Sequence, residues 1–263
     1  MTDTHEGESL AIGIDIGGTG IKGALVDLRT GGLAGDRTKL STPKGGEPEG
    51  IADTVVELLE KIGGDPSLPL GVCFPAAVVG GRTMSAANVS KKWIGFEAEK
   101  FFEDRLGRGI HFVNDADAAG VAEANFGAAK DVPGLVIMTT LGTGIGTALI
   151  HDGVLIPNAE LGHLEIDGVD YETKASFAAK ERGDLSWTRW ASRLQKYYSR
   201  LEALLYPELF VVGGGVSKHY QEFLPKLELR AKIVPAALRN NAGILGAAAL
   251  AASPKYMPSL QQV

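Results

Sequence analysis

A single cysteine, Cys73, stands in 263 residues, which excludes a disulfide framework and any cysteine-rich zinc site. It lies in an apolar run and reads as a small buried hydrophobe. No apolar stretch approaches the roughly 20 residues a helix needs to cross a bilayer. Residues 1–9 are polar and acidic, without the basic start and apolar run of a secretory signal, and read as a frayed tail. The chain therefore reads as a soluble, cytoplasmic protein. Positive charge is also scarce: 26 Lys and Arg against 32 Asp and Glu leave a net charge of −6. That balance argues against general affinity for nucleic acid or an anionic membrane. Missing as well are G-x-x-x-x-G-K-[ST], the protein-kinase loop set, H-E-x-x-H and G-x-S-x-G, which removes the commonest phosphate-loop, kinase, metalloprotease and hydrolase signatures.

What is present in excess is glycine, 35 residues, with no G-X-Y period to account for it. Many of these glycines close apolar runs, and two clusters repeat each other. An apolar strand over residues 10–16 carries Asp15 and runs into Gly17, Gly18, Thr19 and Gly20, and a strand then returns through Lys22. Gly18-Thr19-Gly20-Ile21, two residues, then Ala24-Leu25-Val26 recurs as Gly142-Thr143-Gly144-Ile145, two residues, then Ala148-Leu149-Ile150, at an offset of 124. Self-similarity near half the chain length predicts two related halves rather than a solenoid. Glycine turns leave backbone N–H groups uncovered to converge on an anion. Asp15, Thr19 and Lys22 suit a metal-bound phosphate, and two such turns across a cleft would clamp a phosphate chain. A dinucleotide-binding reading of the second turn fails, because a β-branched strand follows it where a helix is required.

Along the chain, a helix is predicted over 48–62, a buried strand over 70–74, a surface helix over 97–106 and a strand over 110–113. That strand runs into Asn114 and Asp115, and an alanine-rich helix follows over 117–126. The second half opens with strands over 135–140 and 145–150. A long helical region spans 173–205, broken near Gly183. A strand over 209–212 ends in Gly213, Gly214 and Gly215, with a helix after Ser217. The closing helix, 242–252, is apolar all round and must be buried. The division expected is a smaller α/β domain over 1–115 plus about 240–263, and a larger one over 116–239.

Taken in order, Asp15-Ile16-Gly17-Gly18-Thr19 with Lys22, Asn114-Asp115, Leu141-Gly142-Thr143-Gly144-Ile145-Gly146, Glu160-Leu161-Gly162-His163 and Gly213-Gly214-Gly215 resemble the ROK family of sugar kinases. The resemblance runs over roughly residues 10–252. Asn88 before Trp93, and Pro157-Asn158 ahead of the Glu-x-Gly-His motif, further resemble the family's actinobacterial polyphosphate glucokinase branch. It implies the duplicated actin/hexokinase-type, ribonuclease H-like ATPase fold, with two α/β domains around a cleft. It also implies Asp115 as the general base toward a sugar hydroxyl, with Asn88, Asn114, Glu160, His163 and Glu172 on the other hydroxyls. Amides and carboxylates suit a polyol, which offers donors and acceptors at fixed angles. The donor side would be Asp15, Gly17, Gly18, Thr19, Lys22, Gly142, Thr143, Gly144, Gly214 and Gly215, with Asp15 holding Mg²⁺ through water. Many family members carry a cysteine-rich zinc loop after the histidine. Residues 164–171 have no cysteine, so no zinc is expected, and a structurally satisfied histidine is the alternative for His163.

The implied activity is transfer of a phosphoryl group to the 6-hydroxyl of glucose, with mannose as a further acceptor. Gly213 to Gly215 resemble the family's nucleotide loop and favour ATP. Inorganic polyphosphate would need a basic track. Arg182, Arg189, Arg193, Lys196 and Arg200 recur at spacings of 7, 4, 3 and 4, an arc of roughly 60° on a continuous helix, and form a candidate track or a solvated face. The donor stays open between polyphosphate and ATP, and an ATP-only hexose kinase is the alternative. A sugar-responsive repressor of the same family is the rival of another class. It would need a DNA-binding segment before the first strand, where only nine residues stand. The family implies a homodimer, with a monomer as the other state.

Overall fold

The computed structural model describes residues 10–253; the expected N-terminal tail, 1–9, and the end of the expected C-terminal segment, 254–263, lie outside the described residues. In chain order the elements are β1 (Leu10–Ile16), β2 (Gly20–Asp27), β3 (Gly32–Leu33), β4 (Thr38–Ser41), α1 (Pro48–Ile62), β5 (Leu70–Phe74), β6 (Val78–Val79), β7 (Arg82–Thr83), α2 (Ala98–Leu106), β8 (His111–Asn114) and α3 (Asp115–Phe126). Then follow β9 (Leu135–Leu141), β10 (Ile145–His151), β11 (Val154–Ile156), β12 (Glu165–Ile166), β13 (Val169–Asp170), α4 (Glu172–Ala175), α5 (Phe177–Arg182), α6 (Trp187–Leu205), β14 (Leu209–Gly213), β15 (Lys232–Pro235) and α7 (Ala242–Ala252). The chain divides into two compact units. One holds residues up to 122 and those from 241 on, and the other holds 123–240. Among the described residues no helix is long and apolar enough to cross a membrane.

The first unit is built on the sheet β3-β2-β1-β5-β8, with β4 also on β2. The β1–β2 pair is antiparallel, whereas β1–β5 and β5–β8 are parallel. The second unit repeats the order as β11-β10-β9-β14-β15, again an antiparallel hairpin followed by two parallel pairings. The duplication read from the glycine repeat is thus a duplication of sheet topology. The two turns differ by one residue: four residues separate the paired Ile16 and Ile21, and three separate Leu141 and Ile145.

Parallel strands need both faces covered. In the first unit α1 covers one face through buried Ile51, Ala52, Val55 and Leu58, and α7 packs on β1 and β5. The seat of α7 is made by glycine. Gly13 and Gly71 are register partners on neighbouring strands. A Cβ on Gly13 would lie 1.9 Å from the Ile244 carbonyl oxygen, and one on Gly71 would lie 1.9 Å from that of Ala247. Gly246 of the helix is equally tight, its Cβ position 1.7 Å from the Ala118 carbonyl oxygen. A helix of Ala, Gly, Leu and Ile without a polar face can therefore lie backbone to backbone on the strands.

In the second unit the core gathers on α6, whose Trp190, Leu194, Tyr197, Tyr198 and Leu201 are fully buried. Each such side chain contributes on the order of 2–3 kcal/mol of transfer free energy. Their polar atoms are answered: Trp190 Nε1 donates to the Ala175 carbonyl at 2.9 Å, and Tyr198 Oη lies 2.7 Å from Thr139 Oγ1.

Two helical expectations need correction. The region predicted as one helix with a single break is three helices, because Ser176 and Ser186 each cap a new start. Ser176 Oγ accepts the Ala179 N–H at 3.2 Å and Ser186 Oγ the Arg189 N–H at 3.3 Å. Arg182 consequently lies on α5, apart from the other four members of the basic stripe on α6. The helix expected after Ser217 is instead 3-10 structure over Gly215–Glu222, with a kink at His219.

Candidate active site

In the first unit the carboxyl ends of β1, β5 and β8 carry the polar residues, where ligands of open α/β sheets bind. Asp15 is register partner to Lys22 on one side and to Cys73 on the other. Its Oδ2 accepts from Lys22 Nζ at 3.0 Å, and Cys73 Sγ lies 3.8 Å from Oδ1. Burial pushes the Cys73 thiol well up, and the negative charges of Asp15 and Asp115 push it further. Both carboxylates thus act on one buried atom. A Cβ on Gly243, at the start of α7, would lie 3.1 Å from Asp15 Cγ and 3.2 Å from Cys73 Sγ. Only hydrogen fits comfortably above this pair.

Asn114 ends β8 and Asp115 opens α3, so Asp115 is a helix residue and not part of a loop. Asn114 is buried, and its Oδ1 accepts the N–H groups of Ala116 and Asp117 at 2.8 and 3.0 Å. Its Nδ2 donates to the Ala76 carbonyl at 3.0 Å. The amide thus caps α3 and ties it to the β5 loop, which leaves one N–H for a ligand. Asn88 has φ +62°, a conformation asparagine tolerates, and packs on the first glycine turn. A Cβ on Gly18 would meet Asn88 Cβ at 2.8 Å. Beneath that loop Trp93 is fully buried among Phe74, Phe96, Phe101 and Phe102, with Nε1 on the Gly46 carbonyl at 2.8 Å.

Lys39 is a further cation that sequence reasoning missed. It faces Lys22 across the β2–β4 pairing, and a Cβ on Gly20 would meet its Cε at 2.7 Å. Strand β4 is four residues long and too short for its alternation to register as a pattern.

In the second unit the glycine runs at the ends of neighbouring strands β9 and β14 adjoin. Gly214 has φ +83°, and its Cβ position lies 2.4 Å from the Leu141 carbonyl oxygen. Gly142 and Gly215 face open space, with nothing within 4 Å of a Cβ on either. The Gly142 carbonyl accepts the Ala178 N–H at 3.0 Å, which seats α5 against the turn. Gly162 explains the Glu-x-Gly-His spacing: its Cβ would lie 2.0 Å from the Ile145 carbonyl oxygen, so the Leu161–His163 turn presses directly on β10. Thr147 Oγ1 accepts the Leu161 N–H at 3.0 Å and fixes the same turn. Glu160 and His163 are exposed at its two ends.

His163 Nδ1 lies 2.9 Å from Asp170 Oδ2. The Asp170 hydrogen bond, with the charges of Glu172, Asp170 and Glu160, holds the imidazole above its ordinary range against an opposing effect of burial. Glu172 commits one carboxylate oxygen to the backbone and leaves the other for a hydroxyl. Its Oε2 accepts the Ile145 N–H at 2.7 Å and lies 2.4 Å from where a Gly144 Cβ would be. Sequence reasoning named His163 and Glu172 but missed Asp170, the acid between them. Among the described residues no group of three or more His, Cys, Asp or Glu is placed to hold a metal ion by itself.

Of the basic stripe, Arg193 donates to the Lys174 carbonyl at 3.0 Å and Lys196 pairs with Asp167. Arg193 and the Asp167 partner of Lys196 border a cavity of about 300 Å³ that Ile166, Val169, Tyr171 and Lys174 also line. Arg189 and Arg200 are exposed on the same helix.

Two topologically equivalent sheets, each with a glycine turn after its first strand, define a duplicated actin/hexokinase-type ATPase fold. The chain belongs to the ROK family, whose model matches residues 11–180. It is 47% identical over 237 residues to the polyphosphate glucokinase of Mycobacterium tuberculosis, covering 90% of this chain and 89% of that one. It superposes on the inorganic polyphosphate/ATP-glucomannokinase of Arthrobacter sp. strain KM with a TM-score of 0.87, at 52% identity, covering 93% of this chain and 98% of that one. A ROK family glucokinase from Streptomyces griseus, in complex with glucose and AMPPNP, is similar at a TM-score of 0.79 and 25% identity, over 92% of this chain and 99% of that one.

Proposed function

We propose that this chain is a glucose kinase that transfers a phosphoryl group to the 6-hydroxyl of glucose, with mannose as a second acceptor. Inorganic polyphosphate and ATP serve as donors. The observation that carries the reading is the pair of carboxylates at the strand ends of the first unit, Asp15 held by Lys22 and Asp115 at the start of α3. Phosphoryl transfer demands positioning and charge compensation more than covalent chemistry. A helix start favours a carboxylate, and Asp115 there takes the proton of the attacking hydroxyl. Asn88, Asn114, Glu160, His163 and Glu172 engage the remaining hydroxyls. Thr19 and Lys22, with the turns at Gly17, Gly18, Gly142, Thr143 and Gly144 and with Gly214 and Gly215, hold the phosphates. The Gly17 and Gly142 N–H groups close their own turns on the Gly20 and Gly144 carbonyls at 3.0 Å.

Mg²⁺ fits this donor set, since it keeps most of its waters and takes one or two carboxylates plus substrate phosphates. Asp15 would hold it through water, and the ion would neutralise charge on the transferring group. Arg189, Arg193, Lys196 and Arg200 on α6 serve as the track for a long polyphosphate, with Arg182 on α5 outside the helical stripe. We place the enzyme in the cytoplasm, acting on small molecules without nucleic-acid or membrane partners, as a homodimer or monomer.

The test is a donor panel of ATP and polyphosphates of several lengths with glucose and mannose, run on the parent and on Asp115→Asn. The variant is expected to keep its glucose KM and lose about 10²–10⁴-fold in kcat; near-normal turnover refutes the base assignment. Arg189→Glu with Arg200→Glu should raise KM for long polyphosphate and spare ATP. If both donors respond alike, the track is not on α6.

A further inference from the structure

Asp170 stands between two residues that the proposed function gives to the sugar, and it touches both. It closes the β12–β13 hairpin, where Glu165 pairs with Asp170 and the two turn residues Asp167 and Gly168 have φ +56° and +71°. Two successive positive φ values are those of a tight type I′ turn, so the acid is presented from a short, defined hairpin. One oxygen, Oδ2, lies 2.9 Å from His163 Nδ1. The other, Oδ1, accepts the Glu172 N–H at 3.1 Å, and the Asp170 carbonyl accepts from Thr173 Oγ1 at 2.6 Å. Glu172, placed this way at the start of α4, reaches the Ile145 N–H at 2.7 Å, directly after the second glycine turn. Hydrogen bonds thus run without a break from His163 through Asp170 and Glu172 to the backbone that follows Gly144.

An ionised carboxylate only accepts, so a ring nitrogen at that distance must carry the proton. The neutral imidazole is then the Nδ1–H tautomer, with the Nε2 lone pair turned outward as an acceptor for a hydroxyl. We infer that Asp170 is a positioning residue for the sugar site: it fixes the His163 tautomer and seats Glu172, and through Glu172 it links that site to the second glycine turn. The inference rests on the proposed reading that His163 and Glu172 take sugar hydroxyls.

Asp170→Asn is close to isosteric but cannot accept at both oxygens. With its carbonyl kept on the Glu172 N–H, its NH₂ faces Nδ1 and drives the ring to the Nε2–H tautomer. Long-range ¹H–¹⁵N spectra of His163, recorded in the sugar-free full chain above the ring's titration, report the tautomer without reference to activity. The parent is expected to be protonated at Nδ1 and the variant at Nε2. Glucose KM should rise several-fold to about tenfold, the loss of one hydrogen bond to a neutral acceptor, with a much smaller change in donor KM and, above the ring's titration, an unchanged thermal midpoint. A parent ring protonated at Nε2, or a variant with the parent's glucose KM, overturns the inference. A His163→Ala variant with the parent's glucose KM overturns the sugar reading instead, and leaves the tautomer result to stand by itself.

Discussion

Substituting Gly71 by Ala tests the seat of α7 directly. The new Cβ would sit 1.9 Å from the Ala247 carbonyl oxygen and 2.3 Å from its carbonyl carbon. A relaxed carbon–oxygen approach is about 3.3–3.6 Å, so strand and helix must part by about 1.5 Å. A radial gap of 0.5–1 Å already forfeits a quarter to a half of each dispersion contact. That loss falls on Ile244, Leu245 and Leu250, which are almost fully buried. The neighbouring contact of Gly13 with Ile244 opens with it, because Gly13 and Gly71 are register partners under one helix face. Overpacking typically costs about 1–3 kcal/mol, and a clash of two main chains belongs at the upper end, near 3 kcal/mol. The clash is with backbone, so trimming α7 side chains, Ala247→Gly included, will not relieve it. Urea unfolding with hydrogen exchange of the β1 and β5 amides measures the loss within this unit. Gly35→Ala, with nothing within 4 Å of its Cβ position and no left-handed backbone, is the control expected to be neutral. A loss below about 1 kcal/mol at Gly71, or rescue by Ala247→Gly, would refute the reasoning.

Thr139→Val leaves the buried Tyr198 hydroxyl without its partner and should cost about 1–3 kcal/mol, whereas adding Tyr198→Phe should recover part of that loss in a double-mutant cycle. His163 in the folded chain should titrate above its ordinary 6.5 by ¹H NMR. Since the raised value belongs to the folded state, the stability it supplies is full below about pH 6.5 and is lost as pH rises through the folded value. The parent's thermal midpoint should therefore fall relative to His163→Gln over that interval, and parallel curves would show that the His163–Asp170 pair is not formed.

The long strands and the isolated helices were legible because each carries enough residues to show a period. Strand β1 is seven residues with one partly exposed carboxylate near its end, and α1 shows its apolar face between Pro48 and the Gly63–Gly64 pair. Ladders of two to four residues, β3, β4, β6, β7, β12, β13 and β15, show none. The breaks in the 173–205 region had signals that the continuous apolar face obscured: Ser176 and Ser186 are both helix-capping types, three residues ahead of the N–H groups they accept. The helix expected from 117 begins at Asp115, because nothing local distinguishes the last residue before a helix from the first one in it. Asp170 was invisible for another reason. It matters through Glu172, whose N–H it accepts, and through His163, seven residues upstream and across a hairpin too short to predict.

The glycine excess separates into two physical classes, and the separation bears on function. Gly13, Gly71, Gly162 and Gly246 are required by neighbouring backbone, and Gly214 by backbone and a positive φ. Gly142 and Gly215 have neither reason: no atom crowds them and their φ values are ordinary for any residue. In the unfolded chain each glycine costs about 0.5–1 kcal/mol more to order than alanine, with nothing in the folded chain to offset it. Both sit at the ends of adjacent parallel strands in the second unit, where a side chain would occupy the open space over the main chain. A ligand that approaches main chain closely supplies the missing constraint, and a phosphate chain is such a ligand. Gly142→Ala and Gly215→Ala should accordingly leave unfolding free energy unchanged or slightly raised while donor KM increases for ATP and polyphosphate alike. An increase confined to ATP would assign these two glycines to the nucleotide and not to the phosphates.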